Sequence, residues 1–259
     1  MVGKAQRTRS AREKLEQVRV RQRAEARRRK LIFGSVAGVA VAAVIAVIAV
    51  VAVSKGGGSH EVMPAGVGGG TPVVQPAALT VANTTGIAGV VAYDTTGWPA
   101  SSSNGPASQA LGHAHVPGPV QYSVTPPVGG NHNAAWMNCG VYDKPVPAER
   151  AVHNLEHGAV WVTYQPSLPQ SEVSQLRAFF GRQTVLSPGG GSGSRYVDLT
   201  PYPGLPAPIV VSSWGFQLRL TSPADPRLQE FVTKFRASQK YTPEYGGACT
   251  GGLGTPLQS

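Results

Sequence analysis

Apolar positions are distributed unevenly along this chain. Leu31 to Val53 is a run of 23 residues without a charge, built largely of Val, Ala and Ile. At a helical rise of ~1.5 Å per residue it reaches ~34 Å, enough to cross a hydrocarbon core of ~30 Å with some tilt. No soluble helix needs apolar residues on every face over that length. A cleaved signal peptide would have a shorter apolar stretch ending in a small-x-small site, and Val51-Ala52-Val53-Ser54-Lys55 lacks one. The run therefore predicts one transmembrane helix over 31–53.

Beyond it the pattern changes. Residues 54–85 are rich in Gly, Pro, Ser and Thr, as expected of a disordered linker. Short strands are predicted at 87–93 and 119–124, with a loop-like, Pro/Gly-rich stretch over 125–146. A helix is predicted from Ala148 to His157, stopped by Gly158. Ala159 to Tyr164 is continuously apolar, β-branched and aromatic, the mark of a buried strand. Ser171 to Phe180 reads as helix, 183–187 as strand, and 189–194 as a glycine-rich surface loop. Pro208–Val211 and Phe216–Leu220 can pair as strands. A last amphipathic helix runs from Asp225 to Phe235, with Leu228, Phe231, Val232 and Phe235 on one face. Residues 253–259 are expected to form an irregular tail. Helices and strands mix without a regular βαβ rhythm. The predicted class is therefore α+β: a small mixed sheet with a few short helices, over 86–252, preceded by the transmembrane helix and the linker.

Charge changes the picture in one respect. Residues 1–30 hold 12 of the 23 Lys/Arg and 3 of the 13 Asp/Glu, leaving 11 against 10 for the rest. The net charge of +10 thus belongs to the tail. A near-neutral domain has no footprint for a phosphate backbone, so nucleic-acid binding is not expected of it. The block Arg27-Arg28-Arg29-Lys30 abuts the apolar run, which by the positive-inside rule puts residues 1–30 in the cytoplasm and the domain outside. Beyond marking topology, the tail can attract anionic lipid head groups. Cys139 and Cys249 fall on the outer side, where an even pair reads first as a disulfide.

Candidate chemistry is concentrated in one window. Five of the six histidines lie between 113 and 157, where an even spread would place about one. His153 and His157 are four apart and share a face of the predicted helix; His113 and His115 are two apart and would share a face of a strand. These spacings present pairs of imidazoles to one ion, and imidazole suits Zn or Cu. The plainer reading makes His157 a helix-terminal residue serving the dipole and His153 a hydrogen-bonded core residue. His153-Asn154-Leu155-Glu156-His157 also matches the H-x-x-E-H pattern of inverted zinc peptidases. Those enzymes embed the motif in a long helix, whereas Gly158 and a strand follow here. No phosphate-binding loop or G-x-S-x-G is present in the sequence.

Longer motifs carry a resemblance. Pro126-Pro127-Val128-Gly129-Gly130-Asn131-His132, Trp136, Cys139-Gly140-Val141-Tyr142-Asp143-Lys144-Pro145-Val146-Pro147 and Ala151 to Tyr164 resemble the bacterial family called domain of unknown function 3105. Tyr202 to Pro208, Ser213-Trp214-Gly215 and Asp225 to Leu228 extend it over roughly Gly86 to Gly252. The resemblance implies membrane tethering and a shared set of His115, His132, His153, His157, Glu149, Cys139 and Cys249. It implies no activity. Extra Gly/Ser-rich material at about 94–110 and 189–198 departs from the family pattern and is expected to lengthen loops.

Three functions follow as expectations. The first is an extracytoplasmic metal-binding domain using His115, His132, His153 and His157, with Glu149 or Glu156 as ligand or orienter. The second is a non-enzymatic envelope module that binds a protein partner and uses the histidines structurally. The third, a metal-dependent hydrolase, has the least support, so a non-enzymatic role is favoured. The four histidines are expected to share one pocket.

Overall fold

A computed structural model describes residues 70–75, 77–95 and 111–259. The predicted tail (1–30), the span (31–53) and the first part of the linker lie outside the described residues. Among the described residues no helix is long and apolar enough to cross a membrane.

The centre is a six-stranded mixed sheet. In chain order the strands are β1 (Val73–Val74), β2 (Thr80–Val81), β3 (Val90–Tyr93), β4 (Val120–Gln121), β5 (Val160–Tyr164), β6 (Val197–Pro201), β7 (Ile209–Ser213) and β8 (Phe216–Leu220). The sheet order is β2-β3-β8-β7-β5-β6, with β5 and β6 parallel and the other pairs antiparallel. β1 and β4 form a separate parallel pair. Among the described residues three α-helices accompany them: α1 (Ala148–Glu156), α2 (Gln170–Gly181) and α3 (Pro226–Phe235). The α+β class holds.

Side-chain alternation decides what each face of the sheet carries. Val160, Val162 and Tyr164 of β5 and Ile209 and Val211 of β7 join a core with Val173, Leu176, Phe179 and Phe180 of α2 and Leu228, Phe231, Val232 and Phe235 of α3. Their intervening neighbours, Trp161 and Val210, point the other way, into a second core with Ala151, Val152 and Leu155 of α1. The sheet is therefore covered on both faces, and α1 occupies a different face from α2 and α3. Both faces being buried explains why β5 reads as an unbroken apolar run.

Several elements differ from the predicted ones. Residues 183–187 form no strand; Leu186 makes a single bridge to Ser194, and Val185 is exposed. β6 was not anticipated. Two short strands, β1 and β2, fall in the stretch expected to be linker, because Val73 N–H donates to Pro119 O and Asp94 N–H to Leu79 O. The final residues are irregular but held: Leu253 and Gln258 bridge to Met137 and Val141. Val141 in turn bridges Leu199, which covers the β6 edge of the sheet. Cys139 and Cys249 are joined in a disulfide, both buried, at a sequence separation of 110.

Candidate metal centre

Helix α1 presents two opposed faces. Ala151, Val152 and Leu155 pack on the sheet, while His153, Glu156 and the C-capping His157 turn toward the loops. Gly158 ends the helix as expected. Its φ is +96°, and a Cβ there would lie 2.7 Å from Thr242 Oγ1, so neither conformation nor space admits a side chain. Ala159 N–H then donates to Asn154 O, turning the chain into β5.

The Pro/Gly-rich loop folds back over this helix. Asn131 N–H donates to Gln75 Oε1, and Tyr122 Oη–H to Asn131 O. His132 pairs with His115 across a parallel bridge, where Val116 N–H donates to His132 O and His132 N–H to Ala114 O. The imidazoles consequently converge. Ring centroids are 4.9 Å apart for His115–His132, 5.0 Å for His115–His153, 4.9 Å for His132–His153 and 4.4 Å for His153–His157. The expected shared pocket is therefore present. His132, His153, Glu156 and His157 are buried, whereas the His115 side chain is 46% exposed.

Hydrogen bonding sets the tautomers of three rings. His132 Nδ1 lies 2.8 Å from Gly130 O, His153 Nδ1 2.7 Å from Asn133 O, and His157 Nδ1 2.6 Å from Ala248 O. A carbonyl only accepts, so each Nδ1 carries the hydrogen and each neutral ring keeps a bare lone pair on Nε2. Those lone pairs face other acceptors. His153 Nε2 is 3.0 Å from His157 Nε2. His132 Nε2 is 2.9 Å from Glu156 Oε2, yet neither atom has a hydrogen-bond partner of acceptable geometry. His115 Nε2 stands 3.7 Å from the same Glu156 oxygen, and His157 Nε2 is 3.4 Å from Glu244 Oε2.

Acceptors packed this closely require protons or a cation between them. Burial pushes the His153 imidazole down to about 4, with the Asn133 hydrogen bond partly opposing and His157 and His132 adding to the effect. A ring so disposed is neutral near pH 7, with its lone pair available to a metal. Burial raises the Glu156 carboxyl, but the hydrogen bond and positive charge that His132 offers when protonated, with the charged forms of His153 and His115, outweigh that and hold it below the usual carboxylate range. Among the described residues, two groups of ligand atoms can hold an ion, each within 4.8 Å of one another: His115, His132, His153 and Glu156; and His153, His157 and Glu244. At bonds of ~2.0–2.1 Å a tetrahedral ion spaces its donors by ~3.3–3.4 Å. The four separations, 2.9 to 3.7 Å, bracket that spacing. The backbone carbonyls on Nδ1 are the usual outer support of metal-bound histidine.

Of the predicted residues, His115, His132, His153, His157 and Glu156 are brought together. Glu149 is not among them. Its Oε1 accepts from Val120 N–H at 2.9 Å and its backbone carbonyl accepts from Asn133 N–H, so it ties β4 and the His132 loop to α1. Glu244, Trp136, Trp214 and Gln75 were not anticipated. Trp136 tilts against His153 and His157, and Trp214 stands edge-on to His132.

A family model described as "Protein of unknown function (DUF3105)" matches residues 113–251, more than half of the chain. No curated protein and no solved structure matches it.

Proposed function

Because the chain belongs to the DUF3105 family, described as of unknown function, we propose its role from the site itself: it is a metal-binding domain that takes one Zn or Cu ion. One observation carries this reading. Three imidazoles, each with Nδ1 held on a backbone carbonyl, aim bare Nε2 atoms at one another and at a buried carboxylate whose facing oxygen has no hydrogen-bond partner. Imidazole and carboxylate without thiolate suit Zn(II) or Cu(II) better than Cu(I). His115, His132, His153 and Glu156 are the primary ligands. They make a four-donor set, which in zinc proteins is the closed, structural arrangement rather than the open catalytic one. A non-enzymatic role follows, and the hydrolase reading loses ground.

The domain is placed outside the membrane by the basic block before the apolar run. The N-terminal tail rests on anionic lipid head groups, and an envelope protein is the natural partner of the outer surface. The alternative reading, a purely structural histidine cluster, is supported by the same Nδ1–carbonyl bonds, which tie the His132 loop and the C-terminal segment to α1 without help. Metal analysis of the purified protein separates them. About one equivalent of Zn or Cu, lost in His153→Ala, is expected; absence of metal after growth and dialysis with Zn and Cu present would refute the proposal.

A further inference from the structure

Resting on that reading, we propose that the centre has two stations for one ion, an inner one of His115, His132, His153 and Glu156 and an outer one of His157 and Glu244, with His153 shared between them. Zn(II) or Cu(II) would load at the outer station and pass inward through His153.

The geometry divides the ligands this way. His153 belongs to both groups that can hold an ion. Its Nδ1 is committed to Asn133 O, so Nε2 is its one donor atom, and an imidazole nitrogen has a single in-plane lone pair. His153 therefore serves one ion at a time. Full ligation at either station empties the other, and the chain binds one ion rather than a two-metal pair. The two Nε2 atoms, 3.0 Å apart, are close enough for an ion to bond both during the exchange.

The stations differ in exposure and charge. Glu156 and His132 are buried, and the inner station satisfies atoms that otherwise have no hydrogen-bond partner. The Glu244 side chain is 50% exposed and stands 3.4 Å from the buried His157 Nε2. An exposed carboxylate keeps a captured ion partly hydrated and raises its local concentration. Fewer protein ligands and more water make the outer station weaker, so the ion moves inward. His157 is fixed for this task by Ala248 O, which stands beside the disulfide-bonded Cys249.

The test uses the full chain, stripped with chelator and titrated with Co(II), whose visible absorption reports coordination number. Wild type should take up one Co(II) with an intense four-coordinate spectrum. Glu244→Gln, a change at an exposed side chain, should reach the same stoichiometry and spectrum but load at least about tenfold more slowly at low salt. Glu156→Gln should still bind one Co(II), now with a weak spectrum of higher coordination number, and Glu156→Gln/Glu244→Gln should bind none. Two equivalents in wild type, an unchanged loading rate in Glu244→Gln, or no binding by Glu156→Gln would each overturn the two-station arrangement. Wild type that binds no Co(II) or Zn(II) would instead overturn the metal centre itself.

Discussion

Asp198 of β6 is fully enclosed, with one oxygen accepting from Asn154 Nδ2 at 2.8 Å and the other from Gly140 N–H at 3.1 Å. Burial outweighs these two bonds and pushes its carboxyl up to about 7 from 3.8. The folded protein therefore binds a proton here more tightly than the unfolded chain does. The resulting stability is fully present below about pH 4 and is lost as pH rises through about 7, to at most roughly 4 kcal/mol. Urea midpoints of wild type should fall between pH 4 and pH 7.5 by more than those of Asp198→Asn. Parallel curves would show that the carboxyl titrates normally. Glu149 makes a complementary case. Its bond to Val120 N–H is a structural one, so Glu149→Ala should cost about 1–3 kcal/mol in chemical denaturation. The number of metal ions bound per chain should not change. If the bound metal disappears from a folded Glu149→Ala protein, the residue belongs in the ligand set after all.

The elements show which parts of the design can be read from local sequence. Helix α1, strand β5 and the β7–β8 hairpin were legible because their apolar residues meet a core at a regular period. β6 was not, since Val197-Asp198-Leu199-Thr200-Pro201 carries a charge and a proline, and its pairing with β5 is set by packing across the 32 residues of chain between Tyr164 and Val197. β1 and β2 have two residues each, too few to show a period. In the site, the i, i+4 pair His153/His157 was visible, and so was the H-x-x-E spacing that adds Glu156. Glu244 was not, because nothing local links a loop carboxylate to His157, 87 positions earlier. Nor could sequence show which carbonyl each Nδ1 would find. Gly247 tests the importance of that loop. A Cβ at this position would overlap the His157 ring. Gly247→Ala should displace the ring and cost about 1–3 kcal/mol of stability. It should slow Co(II) loading as Glu244→Gln does, without changing the final spectrum. An unaltered loading rate would mean that His157 takes no part in uptake.

Across the whole molecule, the disulfide and the metal centre restrain the same segment. Cys249 is bonded to Cys139, Cys139 N–H donates to Cys249 O, and the flanking residues supply Ala248 O to His157 and Thr250 O to Trp136 Nε1. The chain that closes the domain also carries Glu244, whose backbone N–H donates to Glu156 O at the end of α1. Replacing both cysteines by alanine removes a link across most of the domain, which should cost about 2–5 kcal/mol. A bound ion stabilises independently by mass action, by about 2.7 kcal/mol at a hundredfold excess over Kd. Two restraints on separate parts of a fold would add; two restraints on one segment should not. Four melts measure this: wild type and Cys139→Ala/Cys249→Ala, each with Zn(II) and with chelator. Chelator should lower the wild-type transition, and the shift should be smaller in the cysteine-free protein, because a frayed tail no longer holds Ala248 O against His157. Equal shifts would place the disulfide outside the site's support. A wild-type transition indifferent to chelator would leave the Nδ1–carbonyl bonds as the sole clamp on the loops.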